Sequence, residues 1–193
     1  MAPGKLILAS TSPRRSDLLT EAGIPFEVRP AYIEELSDPE LSGRELCLIN
    51  AESKALEVAS RFPAHIVLGA DTVVALDNRT FGKPRDLDEA RTMLETLCGR
   101  VHEVLTGVCL LHRDTNKMCR FVESTRVKFR PREAVDLDAY LASVNPLDKA
   151  GAYAAQEDNG RLIEQLEGLL SNVVGLPVER VSAALHEHFP GAL

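Results

Sequence analysis

The sequence predicts an α/β protein in which a mixed, twisted sheet is flanked by helices, in an elongated, two-lobed molecule with a central cleft. Apolar runs of strand length alternate with segments of helical periodicity in the first half of the chain, which favours parallel strands joined by helices. Two long β-rich runs, residues 101–111 and 118–129, flank a short polar segment and predict an antiparallel hairpin. No repeat or linker interrupts the chain, so we expect a single domain over residues 1–193.

The first half of the chain contains most of the alternation. Residues 5–9 form an apolar run that predicts the first strand, and helical spacing of leucines continues from there to Gly23. Ser12 suits the N-cap of this helix and Pro13 its first turn, where the missing N–H has no consequence. Further strands are predicted at residues 24–28 and 65–76, and helices at residues 43–61 and 87–97.

The second half begins with the predicted hairpin. A helix follows at residues 133–144 and ends at an Asn-Pro pair, since proline disfavours helical geometry in the residue before it. Residues 161–166 then predict a strand, and residues 177–189 have the apolar spacing of a final amphipathic helix.

Composition excludes several classes of function. The formal net charge of −7 argues against non-specific binding to nucleic acid, which needs a basic surface. Trp is absent and aromatic residues make up only 5%, so the stacking platforms of single-strand binders are missing. Apolar runs fall short of the roughly 20 residues that span a bilayer. The four cysteines lack CxxC or zinc spacing, so we expect reduced thiols in a cytoplasmic protein without nucleic-acid or membrane partners.

Residues 10–15, Ser-Thr-Ser-Pro-Arg-Arg, are the most informative segment. Arg14 and Arg15 fall in the first turn of a helix, where the helix dipole disfavours cations by up to about 1 kcal/mol. An anion would compensate for this. The arginines, the free N–H groups and the hydroxyl of Ser10 therefore predict a phosphate or polyphosphate site. The alternative is a surface helix whose arginines pair with nearby carboxylates such as Asp17.

Asp71 is the second signal, because it interrupts a run that is otherwise fit for burial. A buried, ionised carboxylate is unfavourable unless it is paired, hydrogen-bonded or bound to a metal. Glu34 and Glu35 lie in an earlier polar loop, and such carboxylates beside a triphosphate would form a Mg²⁺ or Mn²⁺ site. A loop-capping Asp and a solvated acidic pair are the alternatives. Further positive charge is available from lysines that, taken singly, are usually solvated surface groups: Lys54, Lys83 and Lys149.

Other catalytic patterns receive no support. The sequence has no GxSxG nucleophile elbow, no GxxxxGK[ST] phosphate loop and no GxGxxG fingerprint. His102, His186 and His188 lack a third ligand at metal spacing, so we interpret them as ordinary residues.

Four motifs in order resemble the Maf family of nucleoside triphosphate pyrophosphatases. They are ASTSPRR at residues 9–15, GADTVV at 69–74, GKPRD at 82–86 and DKAGAY at 148–153. The resemblance covers nearly the whole chain, and four ordered motifs are more specific than one. It implies a hydrolase of the Maf and ITPase fold type that cleaves a nucleoside triphosphate to the monophosphate and pyrophosphate. It also implies a divalent metal cofactor, Mg²⁺ or Mn²⁺, a housecleaning role against noncanonical nucleotides, and a homodimer.

The resemblance assigns roles residue by residue. Asp71 would accept the proton of the attacking water and, with Glu35, hold the metal. The implied phosphate ligands are Ser10, Arg14, Arg15, Lys54 and Lys83. The implied specificity residues are Arg14, Thr72 and Gln156.

The substrate implied by these residues is dTTP or UTP. A sister branch that acts on 7-methyl-GTP has Ser-Asp-Gln where this chain has Ala-Asp-Thr at residues 70–72. The amide of Gln156 also suits the O4/N3–H edge of uracil or thymine. Glu157 departs from the glycine that is common in relatives and could place an acid near the base. The alternatives are a 7-methyl-GTP pyrophosphatase and a non-catalytic nucleotide-binding regulator of cell division.

Overall fold

The structure is a computed structural model that describes residues 4–77 and 79–191. Its strands are β1 (Gly4–Leu8), β2 (Phe26–Val28), β3 (His65–Leu76), β4 (Arg79–Phe81), β5 (Val101–His112), β6 (Lys117–Phe129) and β7 (Ile163–Glu167). Its α-helices are α1 (Pro13–Glu21), α2 (Gly43–Arg61), α3 (Leu87–Leu97), α4 (Leu137–Ser143), α5 (Leu170–Val174) and α6 (Val178–His188). None of the helices within the described residues is long and apolar enough to cross a membrane.

The strands form one mixed sheet in the order β2-β1-β3-β5-β6-β7, with β4 paired to β3. β1 is parallel to both β2 and β3, and α1 and α2 are the crossover helices that parallel pairing requires. From β3 to β7 every pairing is antiparallel, and β5 and β6 form the predicted hairpin. A mixed sheet flanked by helices confirms the predicted fold class.

The structure differs from the predicted elements at several boundaries. The predicted helix over residues 133–144 starts as a 3-10 turn, and α4 begins only at Leu137 because the Asp136 carboxylate caps it by accepting the N–H of Ala139 at 3.0 Å. β7 begins at Ile163 rather than at residue 161. β4 and α5 were not predicted, because segments of three and five residues are too short to show a period.

The buried core lies in two main regions that share the central strands. One region contains β1, α1 and α6 and includes Leu68 and Ala70 of β3. The other contains α3 and α4 and includes Val74 and Leu76 of the same strand. Asp71 therefore lies where β3 passes from one region to the other.

Two glycines let α2 lie directly on the sheet. A Cβ atom at Gly69 of β3 would lie 2.1 Å from the carbonyl oxygen of Ala51, and one at Gly107 of β5 would lie 2.3 Å from that of Cys47. Both oxygens belong to the α2 backbone, so neither can move without a shift of the helix. The close approach thus depends on the absence of a side chain at both positions.

Replacement of Gly69 by alanine is expected to destabilise the fold by about 1–3 kcal/mol or more, because the new methyl group overpacks against the α2 backbone. The shift of α2 should also move Lys54 away from Asp71, since these residues lie on the facing helix and strand. Thermal unfolding measures the loss. Gly82→Ala is the matched control, because a Cβ atom there meets nothing within 4 Å. Equal melting temperatures for the two variants would contradict the expectation.

Candidate active site

A cleft with a volume of about 800 Å³ opens beside the middle of β3. Its walls come from the start of α1, the loop before α2, α2 itself, the segment after β4, the loop after α4 and the end of α5. The predicted site residues all line it: Ser10, Arg14, Arg15, Glu35, Lys54, Asp71, Thr72, Lys83 and Gln156. The structure thus brings the predicted set together, while the role of each residue stays a prediction.

Asp71 is 8% exposed and is held by two side chains of α2. Lys54 Nζ donates to its Oδ1 at 2.7 Å, and Asn50 Nδ2 donates to its Oδ2 at 3.3 Å. Lys54 Nζ also lies 2.7 Å from Glu35 Oε1 and donates to the Ala70 carbonyl at 3.4 Å. Lys54 is only 7% exposed, so a buried ammonium group is neutralised by two carboxylates.

Asn50 also fixes the loop that carries Glu35. Its Oδ1 accepts the N–H of Leu36 at 2.8 Å, and its Nδ2 donates to the Leu36 carbonyl at 3.1 Å. Glu35 therefore faces Lys54 and lines the cleft, whereas Glu34 is exposed outside the lining. Sequence reasoning missed Asn50, because an isolated Asn within a helical pattern carries no signal of its contacts.

The charges in the cleft favour the ionised form of Glu35. Burial alone would raise the pKa of Glu35, but the hydrogen bond and charge of Lys54 lower it, and the charges of Lys83 and Arg15 add to this effect. The net result is a pKa below the ordinary value of 4.5. Lys83 is exposed in the lining beyond β4, so its charge faces the same cavity.

Arg15 is the buried centre of the basic segment and is 9% exposed. Its Nε donates to the Gly175 carbonyl at 2.9 Å, its Nη1 to Ser10 Oγ at 3.1 Å and its Nη2 to Thr72 Oγ1 at 3.3 Å. Burial lowers the pKa of this guanidinium, and the two cleft carboxylates oppose the change. Because all three acceptors are neutral, the positive charge of Arg15 can act on an anion in the cleft.

The start of α1 points its positive end toward the cleft. Ser12 and Pro13 occupy the predicted N-cap and first-turn positions. The Ser12 side chain makes no capping hydrogen bond, and instead the Ser12 N–H donates to Ser10 Oγ at 3.2 Å. Ser10 therefore accepts hydrogen bonds from both Ser12 and Arg15, which fixes this turn beneath the cleft.

Arg14 pairs across the cleft with Asp148 rather than with its neighbour Asp17. Arg14 Nη1 donates to Asp148 Oδ2 at 2.6 Å, and Nη2 donates to the Asp148 carbonyl at 2.9 Å. Lys149, which is 8% exposed, donates to Asp148 Oδ1 at 2.8 Å and to the Asn145 carbonyl at 2.8 Å. Burial alone would raise the pKa of Asp148, but its hydrogen bonds to Lys149 and Arg14 hold it below its ordinary value.

Thr72 follows Asp71 on β3 and positions Arg15. Its Oγ1 accepts from Arg15 Nη2, lies 3.0 Å from Thr106 Oγ1 and lies 3.3 Å from the Gly175 carbonyl. This hydroxyl is therefore engaged on several sides by the protein itself.

Gln156 lies on a 3-10 turn at Ala155–Glu157. Its side chain is exposed and lines the cleft. Beneath it, Tyr153 lines the cleft, and its hydroxyl lies 3.1 Å from His102 Nε2. Burial lowers the pKa of His102 to about 4, so the ring is neutral at pH 7. His102 is a core residue packed edge to face against Phe129 and Tyr153.

Glu35 and Asp71 have the donor chemistry that suits Mg²⁺ or Mn²⁺, since hard cations prefer carboxylate oxygens. One oxygen of each carboxylate lies 2.7 Å from Lys54 Nζ, so the two groups are neighbours and their other oxygens would be the ones to face a metal ion. Residues 4–77 and 79–191 contain no group of three or more His, Cys, Asp or Glu side chains placed to hold a metal ion. Two carboxylates alone would suit a Mg²⁺ ion only with phosphate and water as its remaining ligands, which is a common arrangement for this ion.

Comparison with known proteins identifies relatives over almost the whole chain. The family described as Maf-like protein matches residues 5–188. A protein of Gloeobacter violaceus named dTTP/UTP pyrophosphatase is 45% identical over 172 residues, which are 89% of this chain and 90% of that protein. A protein of Bacillus cytotoxicus with the same name is 42% identical over 188 residues, or 97% of each chain. One of Bacillus cereus is 42% identical over 183 residues, or 95% of each.

Among solved structures, a HAM1 protein from Coxiella burnetii aligns with 95% of this chain and 99% of that chain. The TM-score is 0.45 and the sequence identity is 18%. A likeness of this size carries no conclusion.

Proposed function

The chain belongs to the Maf-like protein family, and from this premise we propose that it is a nucleoside triphosphate pyrophosphatase that acts on dTTP and UTP. One observation carries the proposal: the basic segment at the start of α1 and the ion-paired cluster of Asp71, Lys54 and Glu35 face the same cleft. The relatives from Gloeobacter and Bacillus that bear the name dTTP/UTP pyrophosphatase support the choice of substrates. Removal of surplus or noncanonical nucleotides is the role that we assign to this activity.

The triphosphate binds to the basic side of the cleft in our proposal. Arg15 is held by neutral acceptors and Lys83 is exposed in the lining, so both charges are available to phosphate oxygens. Ser10 and Arg14 add a hydroxyl and a second guanidinium at the positive end of α1. Lys54 has its N–H groups directed at protein oxygens and contributes mainly by its charge.

Asp71 is the proton acceptor in this reaction. A water molecule attacks the α-phosphorus and forms a new P–O bond. The bond between the α-phosphorus and the oxygen that bridges to the β-phosphate breaks, so that pyrophosphate leaves and the nucleoside monophosphate remains. The proton of the water passes to the Asp71 carboxylate, which Lys54 and Asn50 hold in one orientation. Charge neutralisation and positioning supply most of the acceleration in reactions of this type.

Glu35 and Asp71 would also hold the divalent cation, Mg²⁺ or Mn²⁺. When bound, such an ion neutralises phosphate charge and orients the oxygens around the reacting phosphorus. The position of Glu35 supports this assignment, because its side chain lines the cleft and is 48% exposed.

We assign base recognition to Gln156, with contributions from Arg14 and Thr72. The Gln156 amide has both an acceptor and donors, which match N3–H and O4 of uracil and thymine. Thr72 would act indirectly, since its hydroxyl binds Arg15. Glu157 lines the cleft beside Gln156, so its carboxylate is placed to affect which base binds there.

We further propose that the protein is a cytoplasmic homodimer with one domain per chain. Its four cysteines are free, and burial raises the pKa of the Cys47 and Cys109 thiols to about 12, which keeps these two thiols protonated at neutral pH. β3 and β5 run through both core regions, which supports one cooperative unit. Size-exclusion chromatography with light scattering measures the assembly.

Pyrophosphate release from a panel of dTTP, UTP, CTP, GTP and 7-methyl-GTP, with Mg²⁺ or Mn²⁺, tests the proposed function. We expect dTTP and UTP to be cleaved at least about tenfold faster than the others, because a site that hydrogen-bonds one base edge rejects bases that leave it unpaired. The highest rate with 7-methyl-GTP would assign the protein to the sister branch. No release from any nucleotide would favour a non-catalytic regulator.

A further inference from the structure

We propose that Asp148 is a competing carboxylate, which occupies Arg14 and Lys149 until the triphosphate displaces it. This inference rests on the function proposed above, because it concerns the same phosphate site. It explains why the negatively charged Asp148 lies among the cations of a site that we propose to bind an anion.

The contact between Arg14 and Asp148 resembles the way in which arginine binds phosphate. Two guanidinium nitrogens donate to two oxygens of one residue, Nη1 to the carboxylate at 2.6 Å and Nη2 to the carbonyl at 2.9 Å. Paired donation of this kind is what makes arginine a preferred ligand of carboxylates and phosphates. Asp148 therefore uses the same donors that a phosphate group of the substrate would need.

Asp148 also neutralises a second cation of the cleft. Its other carboxylate oxygen accepts from Lys149 Nζ at 2.8 Å. Arg15 differs from both cations, because its acceptors are neutral oxygens. The cleft thus has cations whose charge is available and cations whose charge Asp148 has already neutralised.

The exchange of ligands requires little rearrangement. The Asp148 side chain is 46% exposed, so it can turn toward solvent when phosphate replaces it. The loop that carries it stays attached through Gly151, whose N–H donates to the Gly82 carbonyl at 3.0 Å next to Lys83. Lys149 also keeps its bond to the Asn145 carbonyl at 2.8 Å.

The exchange would change the contact between the two core regions. Arg14 lies in the first turn of α1, which packs into the region around β1. Val144 and Ala152, on either side of Asp148, belong to the region around α3 and α4. The Arg14–Asp148 pair joins the two regions directly. A bound triphosphate would replace this direct bond by contacts through its own oxygens.

Asp148→Asn tests the proposal, since it removes the charge and keeps the size. Competition predicts that Asp148→Asn binds inorganic pyrophosphate about tenfold more tightly, because one charge-assisted pair no longer has to be broken. The same variant should show a lower KM for UTP without a rise in kcat. If Asp148 instead holds Arg14 ready for phosphate, the variant binds pyrophosphate more weakly.

Two further variants serve as controls in the same calorimetric titration at pH 7 with Mg²⁺. Asp148→Glu keeps the charge and should bind pyrophosphate close to the wild-type affinity. Asp138→Asn removes an exposed carboxylate that pairs with Arg91 outside the cleft lining, and it should leave the affinity unchanged. Melting temperatures of all variants verify that they fold.

Unchanged or weaker binding of pyrophosphate by Asp148→Asn would overturn the inference, as would the absence of measurable binding by both it and the wild type. The titration needs no turnover, so its result is separate from the nucleotide panel. A wild-type protein that binds pyrophosphate but cleaves no nucleotide would refute the proposed function. The effect of Asp148 on pyrophosphate affinity could still be measured in that case.

Discussion

Asp71→Asn is expected to lower the rate of pyrophosphate release by about 10²–10⁴-fold, the range that a positioned general base contributes. Asparagine has the size of aspartate and can still accept from Lys54, but it cannot take a proton from water. It also removes one of the two carboxylates that we propose as metal ligands. The rate is measured at saturating dTTP or UTP and Mg²⁺.

The matched control for this change is Asp77→Asn. Asp77 lies just beyond β3, is exposed and pairs with Arg100 at 2.5 Å, so the same chemical change is made outside the cleft lining. Lys54 keeps Glu35 as a partner when Asp71 is changed, and we expect the variant to fold. Wild-type turnover in a folded Asp71→Asn variant would remove Asp71 from the mechanism.

Lys54→Met is expected to cause the largest loss of stability, about 3 kcal/mol or more at pH 7, because removal of one member of a buried ion pair leaves its partners uncompensated. For a chain of this length, that corresponds to a fall of about 6–12 °C in melting temperature. Asp71 and Glu35 would then converge without a counter-ion, and activity should be lost as well, since Asp71 loses its orientation.

The pH dependence of this loss has a defined sign. In the wild type the pKa of Glu35 lies below 4.5, so its pairing contributes stability that is present above pH 4.5 and lost as the pH falls through the lowered pKa. In Lys54→Met, burial and repulsion by Asp71 should raise the pKa of Glu35. As the pH falls, protonation of Glu35 therefore reduces the repulsion between the two carboxylates. The difference in unfolding free energy between the two proteins should therefore shrink between pH 7 and pH 5.

Lys128→Met provides the control, because Lys128 forms an exposed pair with Glu164 at 3.1 Å. Surface pairs of this kind contribute about 0–1 kcal/mol, so its unfolding free energy should stay close to wild type. Equal stability of Lys54→Met and Lys128→Met at pH 7 would show that the buried cluster around Asp71 has no special role in the fold.

Much of the architecture was accessible from sequence because local signals and tertiary packing agree. α2 begins where predicted because Ser42 and Glu45 form a reciprocal capping box, and α6 occupies the predicted amphipathic segment. β3 was recognisable because a strand covered on both faces is apolar throughout. The break in that pattern at Asp71 located the centre of the cleft.

The contacts that complete the site were not accessible in the same way. A lone lysine usually lies on the surface, yet Lys54 and Lys149 are buried. In the folded chain each forms an ion pair with an aspartate, Lys54 with Asp71 and Lys149 with Asp148. The partner of Arg14 is 134 residues away, and no local pattern encodes such a distance. The sequence therefore indicated which residues carry charge, while their pairing depends on the tertiary fold.

The bond from Arg15 to the Gly175 carbonyl has a consequence for biosynthesis. The two residues are 160 positions apart, so a ribosome that adds about 5–20 residues per second needs about 8–32 seconds to travel from one codon to the other. During that interval the nascent polypeptide has the arginine but not its acceptor. A polypeptide that stops before Gly175 therefore lacks the carbonyl that holds the Arg15 guanidinium in the cleft.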